Sequence, residues 1–210
     1  MRDYKLYIFD LDGTLVDTRP DIARALQKTL QDAGLPVPNL GEVARAIGGG
    51  AKNAVSMLTG LVGEELAPHL ERFTKDYEEM CADNTCVYEG GEELLRRLKD
   101  DGAYLALVTM KFKAPTLKIL DVHGLLDLFD AVLTFDDVEK RKPDPDSLHK
   151  LCNRFGVDVS DTLMIGDTVT DINYAHAAGA DSCAVEYGYG ETADILALSP
   201  TYALKSLLDF

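Results

Sequence analysis

From residue 90 onward short apolar runs alternate with helical segments, and this alternation limits the possible folds more than any other feature of the chain. Glu92–Lys99 has a helical pattern and Tyr104–Val108 reads as a strand. Pro115–Val122 is helical, stopped near Gly124, and Ala131–Phe135 is the next strand. Asp146–Phe155, ended by Gly156, leads into the strand Leu163–Ile165; Asp171–Ala178, ended by Gly179, leads into Ser182–Val185. Elements of these lengths in strict alternation predict a parallel sheet covered on both faces. Leu6–Phe9, a short apolar run with β-branched and aromatic content, is read as a further buried strand.

The stretch 18–82 interrupts this grammar, because it carries several helical patterns and no strand. Ile22, Ala25, Leu26, Thr29, Leu30 and Ala33 recur at helical spacing, with Pro20 in the first turn and Gly34 as the stop. A short helix is expected around Glu42–Ile47. The run Gly48–Gly50 is a break, Ala51–Leu58 resumes helix, and Glu64–Ala82 is a longer amphipathic helix. The expected architecture is α/β: a doubly wound, Rossmann-like parallel sheet with an inserted all-helical cap subdomain. The core takes 1–17 and 87–210, and the cap takes 18–86. Such a cap is expected to close over the site, exclude water before chemistry and contact a leaving group.

Charge narrows the partners. The 210 residues include 21 Lys plus Arg and 36 Asp plus Glu, a formal net charge of −15. That surface repels nucleic acid and anionic membranes. It also opposes an anionic substrate, so a metal ion or a local lysine has to reverse the field at the site. No apolar run reaches the length of a membrane span. The opening MRDYKLYIFD leads straight into Asp10 without a small-residue cleavage site, so no signal peptide is expected. Cys81, Cys86, Cys152 and Cys183 form no CxxC pair and read as reduced thiols of a cytoplasmic protein, in a monomer or homodimer. The four histidines lack metal-ligand spacing.

In open parallel sheets ligands bind beyond the carboxyl ends of the strands. The first strand ends in Asp10-Leu11-Asp12. The strand at 104–108 ends in Thr109-Met110-Lys111. That at 163–165 ends in Gly166-Asp167, with Asp171 four residues on. Lys142 follows the strand at 131–135, in RKPDP, after Asp136 and Asp137. Two carboxylates two positions apart raise each other's pKa unless a cation or proton intervenes. Several carboxylate oxygens without nitrogen or sulfur donors suit a hard cation, Mg²⁺ above all. With a lysine and a hydroxyl beside it, such a site is built to hold a phosphoryl group.

These motifs, FDLDGTL, an apolar strand ending in Thr, KP, and GDTVTD, occur in the order that resembles the haloacid dehalogenase-like hydrolases. DLDGTLVDT, the helical insertion after it, KPDPD and YGYG at 187–190 are most similar to the phosphoglycolate phosphatase branch.

The resemblance implies that Asp10 is a nucleophile forming an aspartyl-phosphate, and that Asp12 protonates the leaving oxygen and then activates water. It implies that Asp10, the backbone carbonyl of Asp12 and Asp167 hold Mg²⁺, with Asp171 supporting. Thr109 would bind phosphoryl oxygens and Lys142 would offset charge on nucleophile and phosphate. Gly13 is expected to permit a turn presenting backbone N–H groups to the anion, with Thr14, Met110 and Lys111 also at the substrate. In the insert, Gly49 and Lys52 are expected to reach a substrate carboxylate. Met110 stands where that branch has Asn, so a side-chain amide is lost. The implied activity is Mg²⁺-dependent hydrolysis of a small phosphate ester such as 2-phosphoglycolate. The alternatives are a phosphomutase of the β-phosphoglucomutase type or a pyrophosphatase on the same scaffold. Asp12 argues against a dehalogenase, and the full set of carboxylates argues against a non-catalytic binding module.

Overall fold

A run that is apolar on both faces has to lie inside a sheet, and β1 (Leu6–Phe9) is buried along its whole length. In the computed structural model, residues 2–39, 43, 46–47 and 50–210 are described. The other strands are β2 (Val16–Asp17), β3 (Cys86–Val87), β4 (Tyr104–Val108), β5 (Ala131–Leu133), β6 (Thr162–Gly166), β7 (Asp181–Val185) and β8 (Tyr202–Leu204). Six of them form one sheet in the order β5-β4-β1-β6-β7-β8, every neighbouring pair parallel. The sheet reverses direction of winding at β1, with β4 and β5 on one side and β6 to β8 on the other. A doubly wound sheet opens its ligand crevice at such a switch point. Phe9 lies opposite both Leu107 and Ile165, so the residues after β1, β4 and β6 emerge at one edge.

The chain divides into two compact units, Met1–Asp17 with Val87–Phe210, and Thr18–Cys86. β2 and β3 pair with each other where the chain passes from one to the other. In the sheet unit, Leu6, Ile8, Ala106, Val108 and Met164 pack with Leu148, Leu151, Tyr174 and Ala175 from the helices Asp146–Phe155 and Val169–Ala178. Gly156 and Gly179 end those two helices in the left-handed conformation, as expected from their sequence positions.

The helical unit contains Arg19–Asp32, Ala51–Thr59 and Ala67–Met80. Two buried carboxylates tie it together. Asp21 accepts the N–H of Asn84 at 2.7 Å and of Thr85 at 2.8 Å, and the side chain of Asn84 at 2.8 Å. Asp76 accepts Arg72 Nε at 2.9 Å and the Thr29 hydroxyl at 3.2 Å, and lies 2.9 Å from Lys28 Nζ.

Several elements differ from expectation. The strand expected over 131–135 stops at Leu133. The Thr134 amide and hydroxyl turn to Asp137 Oδ2, and the Phe135 amide to Lys111 O, so the ladder loses its donors. The helix expected over 64–82 opens instead with a 3₁₀ turn at Gly63–Glu65, and the helix begins at Ala67 with Pro68 in its first turn. The helix Thr192–Ala197 and strand β8 add to the expected elements. The short helix expected at 42–47 and the break at 48–50 fall mostly on residues outside those described, Gly49 among them.

Candidate active site

The turn after β1 is tight because three amides converge on one carbonyl. Leu11 O accepts from the N–H of Thr14, Leu15 and Val16 at 3.0–3.2 Å, and the Gly13 N–H donates to Val16 O at 2.9 Å. The amides of Gly13 and Thr14 are therefore engaged inside the turn. Gly13 has φ +81°, and a Cβ there would overlap the Asp167 carboxylate, so both conformation and space select glycine. The Thr14 side chain is fully buried and its hydroxyl donates to Asp167 Oδ1 at 2.9 Å.

Asp10 follows β1 directly, and its N–H donates to Ile165 O at 3.0 Å, which fixes the tips of β1 and β6 side by side. Asp10, Asp167 and Asp171 each bring a carboxylate oxygen within 4.8 Å of the others. Lys142, with 2% of its side chain exposed, donates to Asp171 Oδ1 at 2.6 Å and lies 3.1 Å from Asp10 Oδ1. Asp171 Oδ2 accepts the amide of Thr168 at 3.1 Å and its hydroxyl at 2.6 Å, capping the helix Val169–Ala178. Asp171 is thus committed on both oxygens. Asp10 Oδ1 differs: it is buried and makes no well-aligned hydrogen bond among the described residues, its facing cation being Lys142 at 3.1 Å.

The electrostatics follow from this crowding. Burial, reinforced by Asp171, Asp167 and Asp12, pushes the Asp10 carboxyl up to about 7, against the pull of Lys142. Burial and then Asp171 push Asp167 up to about 6, while the Tyr189 amide, the Thr14 hydroxyl and Lys142 oppose the rise. Burial acts to lower Lys142, but Asp10 and Asp171 reverse this and hold its ammonium charged. Two carboxyl groups made reluctant to ionise, beside the carboxylate of Asp171, constitute an all-oxygen donor set of the kind hard cations take.

The Asp12 carboxylate stands outside the acidic cluster and is gripped by Lys111, whose Nζ donates to both oxygens at 2.9 Å. Thr109 is buried at the end of β4. Its amide donates to Leu133 O at 2.9 Å and its hydroxyl accepts the Lys111 amide at 3.2 Å. Met110 is 41% exposed. Lys52 is an exposed residue in the first turn of Ala51–Thr59, in the helical unit. Asp136 accepts the Lys113 amide and Asp137 its ammonium, both at 2.7 Å, so each serves the loop after β5.

The YGYG segment holds no chemistry-bearing residue that by itself points to the site. The structure brings it onto Asp167: the Tyr189 amide donates to Oδ2 at 2.7 Å. The available signal was the glycine at every second position directly after a strand that neighbours β6, since glycines so placed mark a close backbone approach.

A lysine-bridged acidic cluster at the switch point of a doubly wound sheet defines a class of α/β hydrolases. The family model described as haloacid dehalogenase-like hydrolase matches residues 7–185, and the chain belongs to that family. Among its relatives, a phosphoglycolate phosphatase of Nitrosospira multiformis is 38% identical over 98% of this chain and 93% of its own length. One of Aliivibrio fischeri is 36% identical over 89% of this chain and 86% of its own. The crystal structure of a predicted phosphoglycolate phosphatase from Haemophilus somnus 129PT superposes with a TM-score of 0.91 at 31% identity, covering 100% of this chain and 97% of that one. Among the described residues no helix is long and apolar enough to cross a membrane.

Proposed function

We propose that this chain is a magnesium-dependent phosphomonoester phosphatase that hydrolyses 2-phosphoglycolate through a phosphorylated Asp10. The observation that carries the reading is the meeting of the Asp10, Asp167 and Asp171 carboxylates with the buried Lys142 ammonium at one sheet edge. The substrate is supported by the names of the Nitrosospira and Aliivibrio relatives, which match almost end to end.

Asp10, Asp167 and the backbone carbonyl of Asp12 would hold Mg²⁺, which when bound neutralises carboxylate and phosphoryl charge. Asp10 attacks phosphorus in line, and the ester oxygen leaves with a proton from Asp12. Asp12, now a carboxylate, takes a proton from water. That water attacks the acyl phosphate, releasing inorganic phosphate and restoring Asp10. Lys142 and the Thr109 hydroxyl hold phosphoryl oxygens and offset their charge. Asp171, committed to Thr168 and Lys142, orients the lysine. Lys111 keeps the Asp12 carboxylate at a fixed place beside the turn. Met110 brings no side-chain amide, so its backbone is what it offers a substrate. The free cysteines 81, 86, 152 and 183 support a reducing, cytoplasmic setting.

The test is turnover of an aryl phosphate and of a panel of small phosphate esters, with and without Mg²⁺. Wild type is expected to act in Mg²⁺ with activity concentrated on 2-phosphoglycolate, and Asp10→Asn is expected to fall to background on every ester. Retention of activity by Asp10→Asn overturns the mechanism, and activity centred on another ester overturns the substrate.

A further inference from the structure

We infer that the loop Tyr187–Gly190 is a positioning element for the Asp167 carboxylate, with Tyr189 a strut from that carboxylate to Asp17. The inference rests on the metal-holding role proposed for Asp167.

Asp167 is fully buried and is clamped from two sides. Thr14, from the turn after β1, donates to Oδ1 at 2.9 Å, and the Tyr189 amide donates to Oδ2 at 2.7 Å. The amide reaches so close because residue 188 has no side chain. A Cβ on Gly188 would stand 2.5 Å from Asp167 Oδ2, inside any allowed contact with a buried group that has nowhere to go.

The loop is itself anchored at both tyrosines. The Tyr189 hydroxyl donates to Asp17 Oδ1 at 3.0 Å, and the Tyr187 hydroxyl donates to Thr14 O at 2.7 Å. The Tyr187 ring lies 4.5 Å from that of Tyr88. Thr14, Asp17 and Tyr88 are the sheet unit's residues next to the two crossings of the chain. One short loop therefore fixes a carboxylate oxygen through its backbone and holds the crossing segments through its two phenols.

Partners that hold a metal-binding carboxylate set its readiness to bind, and losing one costs about 10- to 100-fold in metal affinity. The Tyr189 hydroxyl bonds Asp17 and its amide bonds Asp167, so loss of the hydroxyl reaches Asp167 through the placement of the loop.

Mg²⁺ titrated calorimetrically into intact, metal-free wild type, Tyr189→Phe, Gly188→Ala and Asp17→Asn tests this. Tyr189→Phe keeps the amide and loses the strut, so its Mg²⁺ affinity is expected to drop about tenfold. Gly188→Ala, which displaces Asp167, is expected to lose about 100-fold. Asp17→Asn, still an acceptor for the phenol, stays within about threefold of wild type. In turnover, the half-saturating Mg²⁺ of Tyr189→Phe rises by the factor seen in calorimetry while kcat at saturating Mg²⁺ returns to that of wild type. A loss of folded protein alone would lower kcat and leave half-saturation unmoved. If Tyr189→Phe and folded Gly188→Ala bind Mg²⁺ within about twofold of wild type, the inference is wrong. If Gly188→Ala does not fold, Tyr189→Phe decides alone. Wild type that binds no Mg²⁺ removes the metal role and the inference together; wild type and variants that bind alike remove only the strut.

Discussion

Lys142 and Lys111 each face a carboxylate of the site, and their burial separates what they contribute. Lys142 is 2% exposed and Asp171 1%, whereas Lys111 is 6% exposed and its partner Asp12 25%. A buried charge whose partner is removed has no water to turn to, while a part-exposed one rehydrates. Lys142→Met leaves Asp10 and Asp171 facing each other without their shared cation and is expected to destabilise the metal-free protein by about 3 kcal/mol. Lys111→Met is expected to cost about 1 kcal/mol or less. Urea denaturation of the metal-free variants at neutral pH checks the order. Equal losses would mean that the depth of the Lys142 pair does not set its weight. The same contrast explains what the sequence reveals about these residues. KPDPD and GDTVTD place Lys142 and Asp171 near one strand edge, but only the packed fold shows that they bond to each other and that Thr168 completes the bond. Thr14 is harder still. Its hydroxyl lies next to the DLD motif in sequence, as if for a substrate, yet it donates to Asp167, 153 residues away.

Elements are legible where local pattern and tertiary demand agree. β1 and β4 match their expected bounds because continuous apolar runs have no other stable place than mid-sheet. β8 is three residues long, partly exposed and at the sheet edge, so it carries neither a buried run nor clean alternation. β2 and β3, at two residues each, are defined by pairing across the insertion rather than by composition. The helical stretch is legible as helices, but its cohesion is not. Asp21 looks like an ordinary first-turn acid, yet it is fully buried beneath Asn84 and Thr85. Burial acts to raise its pKa, but the hydrogen bonds from Asn84 and Thr85 outweigh this and hold the carboxyl below its ordinary value. A depressed folded pKa gives stability that is full above the unfolded value, near 3.9, and is lost as pH falls through the folded one. Asp21→Ala is therefore expected to cost about 2 kcal/mol at pH 7, since it strands the buried Thr85 amide and removes the acceptor of the part-buried Asn84 amide. The gap to wild type should close as pH falls below about 4. Urea titrations followed by circular dichroism at pH 7, 5 and 3.5 measure this. A gap unchanged at pH 3.5 would mean that charge on Asp21 contributes nothing.

At the scale of the molecule the difficulty is to admit an anion to a chain of formal charge −15. The site does not solve this with lysines alone. Asp10, Asp12, Asp167 and Asp171 outnumber Lys111 and Lys142 by two charges, an excess that one divalent cation balances. With Mg²⁺ bound and the four carboxylates ionised the site would be near neutral, while the rest of the surface still repels a substrate carrying a phosphoryl group and a carboxylate. Salt screens that long-range repulsion more than it weakens contacts inside a buried site. At saturating Mg²⁺, kcat/KM for 2-phosphoglycolate is thus expected to rise severalfold as KCl goes from about 0.01 M to about 0.15 M, where the screening length shortens from about 30 Å to about 8 Å. The rise should appear in KM, with kcat unchanged, because the chemical step takes place after the substrate has left the outer field. Steady-state kinetics across that range at constant free Mg²⁺ give the sign directly. A fall in kcat/KM would mean that a local positive field draws the substrate in despite the net charge, which the balance of four carboxylates and two lysines does not provide.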